Sequence, residues 1–298
     1  MDFDFDFDEE RFRITDSIDQ TYNYKKIGDF QTEVLISRNS PIRLQKNIIA
    51  AIKAYSLGYK SIDYVYKKYS DYWFTDSDSL EETNIKNYMD VLDYVKNYVN
   101  TFLDLLENLD CNEKLGLIVS RAALYRLQST FKSILLLMSR NQYLESMNLC
   151  RVILEQCSWA FCVYTKEHEE DIFSINPLNC LKDFKTFYTP AGSLNGFLSN
   201  RVHISPEVTP EYLQIINNKI IVTFNPISYR YDCYYSILSV TDMYCSTIEY
   251  IFRDFINKFY FVYKYEKEFV LFKEREFVTQ TNIFLDNIRN SINNEIHR

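Results

Sequence analysis

A chain of 298 residues with 47% hydrophobic residues can bury a sizeable core, in one large domain or two smaller ones. It has only five glycines, and Gly192 and Gly196 match no phosphate-loop pattern, which argues against the usual parallel-sheet nucleotide-binding folds. The net charge is −8, and the first ten residues carry six acids and no base, so the remaining chain stands at −2. That balance argues against a broad electrostatic duplex-DNA-binding surface, although it leaves room for a local basic groove.

The seven cysteines include no Cys-x-x-Cys pair, and no Cys/His cluster has zinc spacing, so no metal and no other cofactor is predicted. Their odd number and the absence of a secretory signal favour reduced thiols, acting as small core residues in a cytoplasmic protein. No apolar run approaches about 18 residues, and no membrane span is therefore expected.

Residues 1–10 alternate Asp and Phe, which is typical of a strand, but six acids would repel one another along it. An acidic, aromatic tail is predicted instead, followed by weakly patterned chain to residue 40. Two roles stay open for the tail: a solubilising leader, or a motif that docks into a basic groove or mimics nucleic acid there.

A helix is predicted over 42–57, with Gly58 at its end, and a tyrosine-rich helical segment over 59–72. Lys60, Lys67 and Lys68 accompany these tyrosines. They favour either an amphipathic helix with solvated lysines or a surface that stacks on and pairs with single-stranded nucleic acid. A long helix with near-heptad spacing is predicted next, over 80–109.

The stretch from 115 to 164 predicts two long helices joined by a polar turn at 139–142. In the first helix, a core stripe recurs every three or four residues, and Arg121, which falls off it, is expected in solvent or against an acidic partner. The second helix is apolar almost all round and is therefore expected to be buried. Such a helix must find partners for its charges, and Arg151 and Glu155 lie one turn apart.

Ser158 and Cys162 continue the line of Arg151 and Glu155 along this helix. Two interpretations stay open: a structural ion pair that fixes helix packing, or a polar pocket that binds a substrate or ligand.

A second candidate segment surrounds His203, whose imidazole has a pKa suited to proton transfer near neutrality. Ser199 precedes it by one turn and Arg201 by two residues, at the end of a short predicted helix. The alternative is that His203 caps a packing loop. Beyond it, a short strand is predicted over 220–224, and two long helices over 227–262 and 265–296.

These elements predict an all-α helical bundle over 41–298, built around the antiparallel hairpin at about 115–164. The 1–40 portion is expected to be an acidic tail and a looser, irregular segment.

The run 139–145, followed by Leu149-Cys150-Arg151-Val152-Ile153-Leu154-Glu155 and then by Leu198-Ser199 and His203, resembles a group of uncharacterised bacterial helical proteins related to HEPN-like bundles. That resemblance covers about a third of the chain. It implies a helical bundle, a bacterial defence or toxin–antitoxin setting, a homodimer, and RNA or a partner protein as the binding partner.

Two functions follow as expectations. In the first, the protein cleaves RNA without a metal: His203 is the general acid/base, Arg151 stabilises phosphate charge and Glu155 orients Arg151, while Ser158, Ser199 and Arg201 bind the substrate. In the second, it is a non-catalytic, dimeric interaction or sensor module of the same kind of system. Only one residue separates Arg201 from His203, whereas several residues separate Arg and His in the HEPN nuclease motif.

Overall fold

The computed structural model describes residues 24–29, 32–37, 40–69, 78–111, 114–139, 142–202, 213–216, 219–222 and 228–296. Helices dominate this part of the chain, as the hydrophobic periodicity predicts. None of the helices in these ranges combines the length and the apolar composition needed to cross a membrane.

The helices in these ranges are α1 (Ile42–Ser56), α2 (Ile62–Tyr69), α3 (Asp78–Asn108), α4 (Leu115–Ser139), α5 (Tyr143–Val163), α6 (Glu169–Phe173), α7 (Pro177–Phe187), α8 (Ala191–Val202), α9 (Ser228–Ile251) and α10 (Glu276–Ile296). The strands form three antiparallel hairpins: β1 (Tyr24–Asp29) with β2 (Thr32–Ser37), β3 (Leu213–Ile216) with β4 (Lys219–Val222), and β5 (Val262–Tyr265) with β6 (Glu268–Leu271).

The chain divides into two compact units, one formed by described residues between 15 and 86 and the other by those from 87 onward. In the first unit, Ile36 of β2 packs on Ile52 of α1, and α1 packs on α2 through Ala54 and Val65. Gly58 takes a φ of 69° where the chain turns between these helices, which a residue without a Cβ allows at little cost. The predicted division between a tail and a single domain at residue 40 stays a prediction.

The second unit is built around α4 and α5, and the antiparallel hairpin predicted for 115–164 is confirmed. Helix α5 also packs against α7, α8 and α9, so it lies at the centre of the bundle as its nearly continuous apolar surface predicts. The buried Ser120 hydroxyl of α4 donates to the Ala160 carbonyl of α5 at 3.0 Å. Six of the seven cysteines are buried and all seven are free, in keeping with a role as small core residues.

The expectation that Arg121 lies in solvent is wrong, while the alternative of an acidic partner stays a prediction. Its side chain is buried on α4, where Nε donates to the Leu106 carbonyl at 2.6 Å and Nη2 to the Glu107 carbonyl at 2.8 Å. The last carbonyls of a helix have no partner within the helix, and a cation near them is favourable. Arg121 therefore closes the end of α3 and ties it to the central hairpin.

The C-terminal third departs from the two long helices that the sequence predicts. Helix α9 ends at Ile251 and α10 begins only at Glu276, because the β5–β6 hairpin occupies residues 262–271. This segment is rich in tyrosine, phenylalanine and valine, which suit a pleated strand. Its two-residue turn places Glu266 at a φ of 52° without the glycine or asparagine that usually announces such a turn.

Two buried carboxylates of α9, seven residues apart, hold the two ends of this hairpin. At its entry, Glu249 accepts backbone N–H bonds from Tyr260, Phe261 and Val262, the shortest being 2.7 Å from Phe261. At its exit, Asp242 accepts two bonds from the buried Arg275 guanidinium, whose Nη1 also donates to the Phe272 carbonyl at 2.6 Å. These contacts fix the position of β5 and β6 against the bundle.

The Tyr188 hydroxyl at the end of α7 completes the arrangement around Asp242 by donating to its Oδ2 at 2.5 Å. All three side chains of this Tyr188–Asp242–Arg275 cluster are buried. A buried charge must be paired and hydrogen-bonded, and both oxygens of Asp242 satisfy that requirement. The cluster therefore joins three separate parts of the chain.

The pH dependence of stability tests the Glu249 contact. Burial raises the pKa of the Glu249 carboxyl above its ordinary 4.5, although the three backbone N–H donors oppose that shift. The folded state then binds the proton more tightly than the unfolded chain, so the contribution of Glu249 to stability grows as pH falls from the raised pKa toward 4.5. In urea unfolding, we expect the protein to gain stability relative to its Glu249→Gln variant as the pH is lowered from neutrality toward 4.5. If the free energies of unfolding of the two proteins changed with pH in parallel, the raised pKa of Glu249 would be contradicted.

Candidate functional site

The predicted ion pair on α5 forms, but it is open to solvent. Arg151 Nε lies 3.0 Å from Glu155 Oε1, and the two side chains are 26% and 51% exposed. A pair with one partner half exposed is screened by water and contributes little to stability. The expectation that a buried helix shelters this pair is therefore wrong, while the pair itself is confirmed.

The other predicted residues of α5 face the interior. Ser158 is buried and its hydroxyl donates to the Leu154 carbonyl at 2.8 Å, one helical turn back. Cys162 borders a cavity of about 410 Å³ between α5 and α7, beside Cys180. Burial raises the pKa of the Cys162 thiol to about 12, so it stays protonated near neutrality and is a weak nucleophile.

Arg201 lies on α8, and its partner was not apparent from the sequence. Its Nη2 lies 2.7 Å from Asp232 Oδ2 at the start of α9, and its guanidinium lies 5.4 Å from the centre of the Tyr229 ring. This ion pair ties α8 to α9. Ser199 is partly exposed on the same helix.

His203 lies outside the described residues, so its predicted approach to Arg151 and Glu155 stays a prediction. The one histidine within the described ranges is His168, which is exposed and directly precedes α6. Within those same ranges, no group of three or more His, Cys, Asp or Glu side chains is arranged to hold a metal ion.

The α1–α2 pair carries a local excess of positive charge. Residues 40–69 hold six basic residues and a single acid, Asp63, in a chain whose net charge is −8. Five of their side chains form a continuous cluster, here called the lysine–tyrosine face: Lys53, Tyr59, Tyr64, Lys68 and Tyr69.

Contacts within the lysine–tyrosine face are direct. The Tyr59 and Tyr64 ring centres lie 5.6 Å apart, and the Tyr59 and Tyr69 hydroxyl oxygens 3.4 Å apart. Lys68 Nζ lies 5.5 Å from the centre of the Tyr64 ring and 5.2 Å from that of Tyr69. Its contact with Tyr69, followed by that with Tyr64, raises the pKa of the Lys68 ammonium, which is therefore charged at neutral pH.

The rings and charges of this face are open to solvent. Tyr64 is 49% exposed and Tyr59 36% exposed, so their aromatic surface is only partly covered by the protein. Lys60 and Lys67 are exposed as well, four residues before and three residues after Tyr64. Of the two interpretations that the sequence leaves open for these lysines, the arrangement suits an anionic ligand with planar groups, since ammonium groups attract anions and rings offer stacking surfaces.

Comparisons with family models, curated proteins and solved structures found no match for this chain.

Proposed function

We propose that the protein binds single-stranded RNA through the lysine–tyrosine face, as a HEPN-like helical protein of a bacterial defence or toxin–antitoxin system. The observation that carries this proposal is the concentration of six basic residues and exposed tyrosine rings within residues 40–69 of an acidic chain. Proteins that bind single strands combine backbone-tracking cations with aromatic rings on which bases stack.

The geometry favours a single strand over a duplex. Bases in a duplex are stacked on one another and cannot reach Tyr59 or Tyr64, whereas unpaired bases can stack on exposed rings. The preference for RNA and the homodimeric state come from the resemblance of the α4–α5 hairpin to HEPN-like bundles.

Binding without cleavage is the version that the described residues favour. Ser158 is buried, and its hydroxyl donates a hydrogen bond to a backbone carbonyl. Arg201 forms an ion pair with Asp232. Neither side chain is therefore arranged to hold a substrate. One observation favours the catalytic alternative: Arg151 and Glu155 are open to solvent and can be reached by a strand. In that alternative, His203 supplies the proton transfer and Arg151 the charge stabilisation.

Removing the lysines tests the proposal. We expect Lys60→Ala/Lys67→Ala/Lys68→Ala to lower the affinity for a fluorescein-labelled oligouridine strand by roughly 10-fold or more, measured by fluorescence anisotropy. The dependence of log K on log salt concentration should become less steep by about 2, because each lost phosphate contact on a single strand contributes about 0.7. In contrast, Tyr64→Ala should weaken binding by roughly 10-fold with an unchanged salt slope, because stacking releases no counterions.

A variant with the same change in net charge controls for nonspecific electrostatics. Lys114, Lys182 and Lys258 are exposed lysines outside residues 40–69, and their joint replacement by alanine should leave most of the affinity intact. Equal losses in the two triple variants would overturn the proposed site. Denaturing gels of the same mixtures separate the two functions: intact RNA agrees with binding alone, while cleavage that His203→Ala abolishes would establish the catalytic alternative.

A further inference from the structure

A second site lies in the other unit, where a groove of about 590 Å³ runs between the ends of α7 and α9 and the β5–β6 hairpin. Phe187 and Tyr250 contribute aromatic surface, with ring centres 4.1 Å apart, and Phe269 adds a third ring from β6. None of these residues belongs to the lysine–tyrosine face or to the predicted catalytic set.

Three cations line this groove, namely Arg253, Lys267 and Lys273, against one carboxylate, Glu268. Within the described residues, no carboxylate lies within salt-bridge distance of any of the three. Arg253 is held in place, since its guanidinium lies 4.8 Å from the centre of the Tyr250 ring and its Nη1 donates to the Tyr250 carbonyl at 2.6 Å. A positioned guanidinium with donors to spare is suited to a carboxylate or a phosphate.

The groove also offers an open strand edge. All four residues of β6, 268–271, line it, and among the described strands β6 pairs only with β5. An unpaired edge presents backbone N–H and C=O groups to which an extended peptide can add as a further strand. The rigid attachment of the hairpin through Glu249 and Asp242 keeps this edge in position.

One segment of this chain has matching chemistry. Residues 1–10 carry six acids and Phe3, Phe5 and Phe7, alternating at the period of a strand. An extended peptide with this pattern presents its carboxylates on one side and its rings on the other. The groove supplies both complements, unpaired cations and aromatic side chains.

We infer that the acidic, aromatic tail of this chain, residues 1–10, docks in the groove between α7, α9 and β6 by adding a strand to the β6 edge. The carboxylates of the tail pair with Arg253, Lys267 and Lys273, and its phenylalanines pack on Phe187, Tyr250 and Phe269. An extended peptide fits this site better than RNA does, because the open edge pairs with backbone amide groups, which a nucleic acid lacks. This inference does not depend on RNA binding at α1–α2.

The test uses the full-length chain with Asp2, Asp4, Asp6 and Asp8 replaced by asparagine, so that its own tail cannot compete, and a labelled peptide of residues 1–10. We expect the peptide to bind this chain at least 10-fold more tightly than it binds the unaltered protein, in which the resident tail occupies the groove. Adding Arg253→Ala, Lys267→Ala and Lys273→Ala should abolish the binding. Circular dichroism of each variant reports whether it is folded.

A matched control neutralises four exposed acids elsewhere, Glu167, Glu169, Glu170 and Asp171, and should leave the peptide affinity as in the unaltered protein. A peptide with its aspartates changed to asparagine should fail to bind. Equal peptide affinity in the unaltered and tail-neutralised chains, or binding that survives loss of the three groove cations, overturns the inference. A third result would also overturn the inference: the peptide does not bind, labelled oligouridine does, and Arg253→Ala abolishes the oligouridine binding.

Discussion

Replacing Asp242 with asparagine is expected to lower the free energy of unfolding by about 3–5 kcal/mol, the usual cost of removing one partner of a buried ion pair. The substitution keeps the size of the side chain but leaves the buried Arg275 guanidinium without its carboxylate. The Tyr188 hydroxyl also loses a charged acceptor. Urea unfolding followed by circular dichroism measures the change, and hydrogen exchange should show the β5–β6 amides opening first.

The exposed pair on α5 provides the control for this experiment. Glu155→Gln removes the same kind of charge from a partner that water can reach, and should cost no more than about 1 kcal/mol. Adding Arg275→Met to Asp242→Asn should recover part of the lost stability, because the uncompensated charge is then gone. A loss in Asp242→Asn no larger than that in Glu155→Gln would show that the buried cluster does not hold the hairpin.

The contrast between these two ion pairs shows what the sequence could and could not predict. Arg151 and Glu155 lie four residues apart on one helix, and this spacing is enough to predict that their side chains meet. It cannot show which line of a helix its neighbours leave uncovered, since that depends on how α7, α8 and α9 are placed. Asp242 and Arg275 are 33 residues apart, and only the folded chain brings them together.

The same limit explains the expectation for Arg121. Its position off the apolar stripe of α4 indicates a polar environment, and the polar environment exists. It is formed by the backbone carbonyls of Leu106 and Glu107, about fifteen residues earlier in the chain, rather than by water. Hydrophobic periodicity reflects only the positions of apolar side chains. It does not reveal the backbone carbonyls that lack a hydrogen-bond donor at the end of another helix.

The helical hairpin itself was predictable because its signal is long and local. Two apolar-periodic stretches of more than twenty residues, separated by a short polar turn, leave few other arrangements. The β5–β6 hairpin was not predictable, because each strand has four residues and its turn uses Glu266 and Lys267 in place of a common turn pair. The groove that depends on this hairpin was therefore hidden as well, although the tail proposed to fill it is conspicuous in the sequence.

Replacing Gly116, near the start of α4, with alanine is expected to lower the stability of the protein by a large amount. The same replacement at Gly196 in α8 provides the control. A Cβ added at Gly116 would lie 2.3 Å from the Val163 carbonyl oxygen, at the end of α5, and 2.6 Å from the carbonyl oxygen of Lys166, three residues further on. At this close approach the Gly116 N–H donates to the Lys166 carbonyl at 2.9 Å. Alanine can be accommodated only if the two helix ends move apart, which breaks that hydrogen bond and loosens the central hairpin.

We therefore expect Gly116→Ala to destabilise the protein by about 3 kcal/mol, near the upper end of the usual cost of overpacking. Gly196→Ala makes the same chemical change within a helix where, apart from the neighbouring residues and backbone of the helix itself, nothing lies within 4 Å of the added carbon. It should instead stabilise the protein by about 0.5–1 kcal/mol, because alanine loses less backbone entropy on folding than glycine. Urea midpoints of the two variants should shift in opposite directions. Stabilisation by both variants would show that backbone entropy outweighs the contact between the ends of α4 and α5.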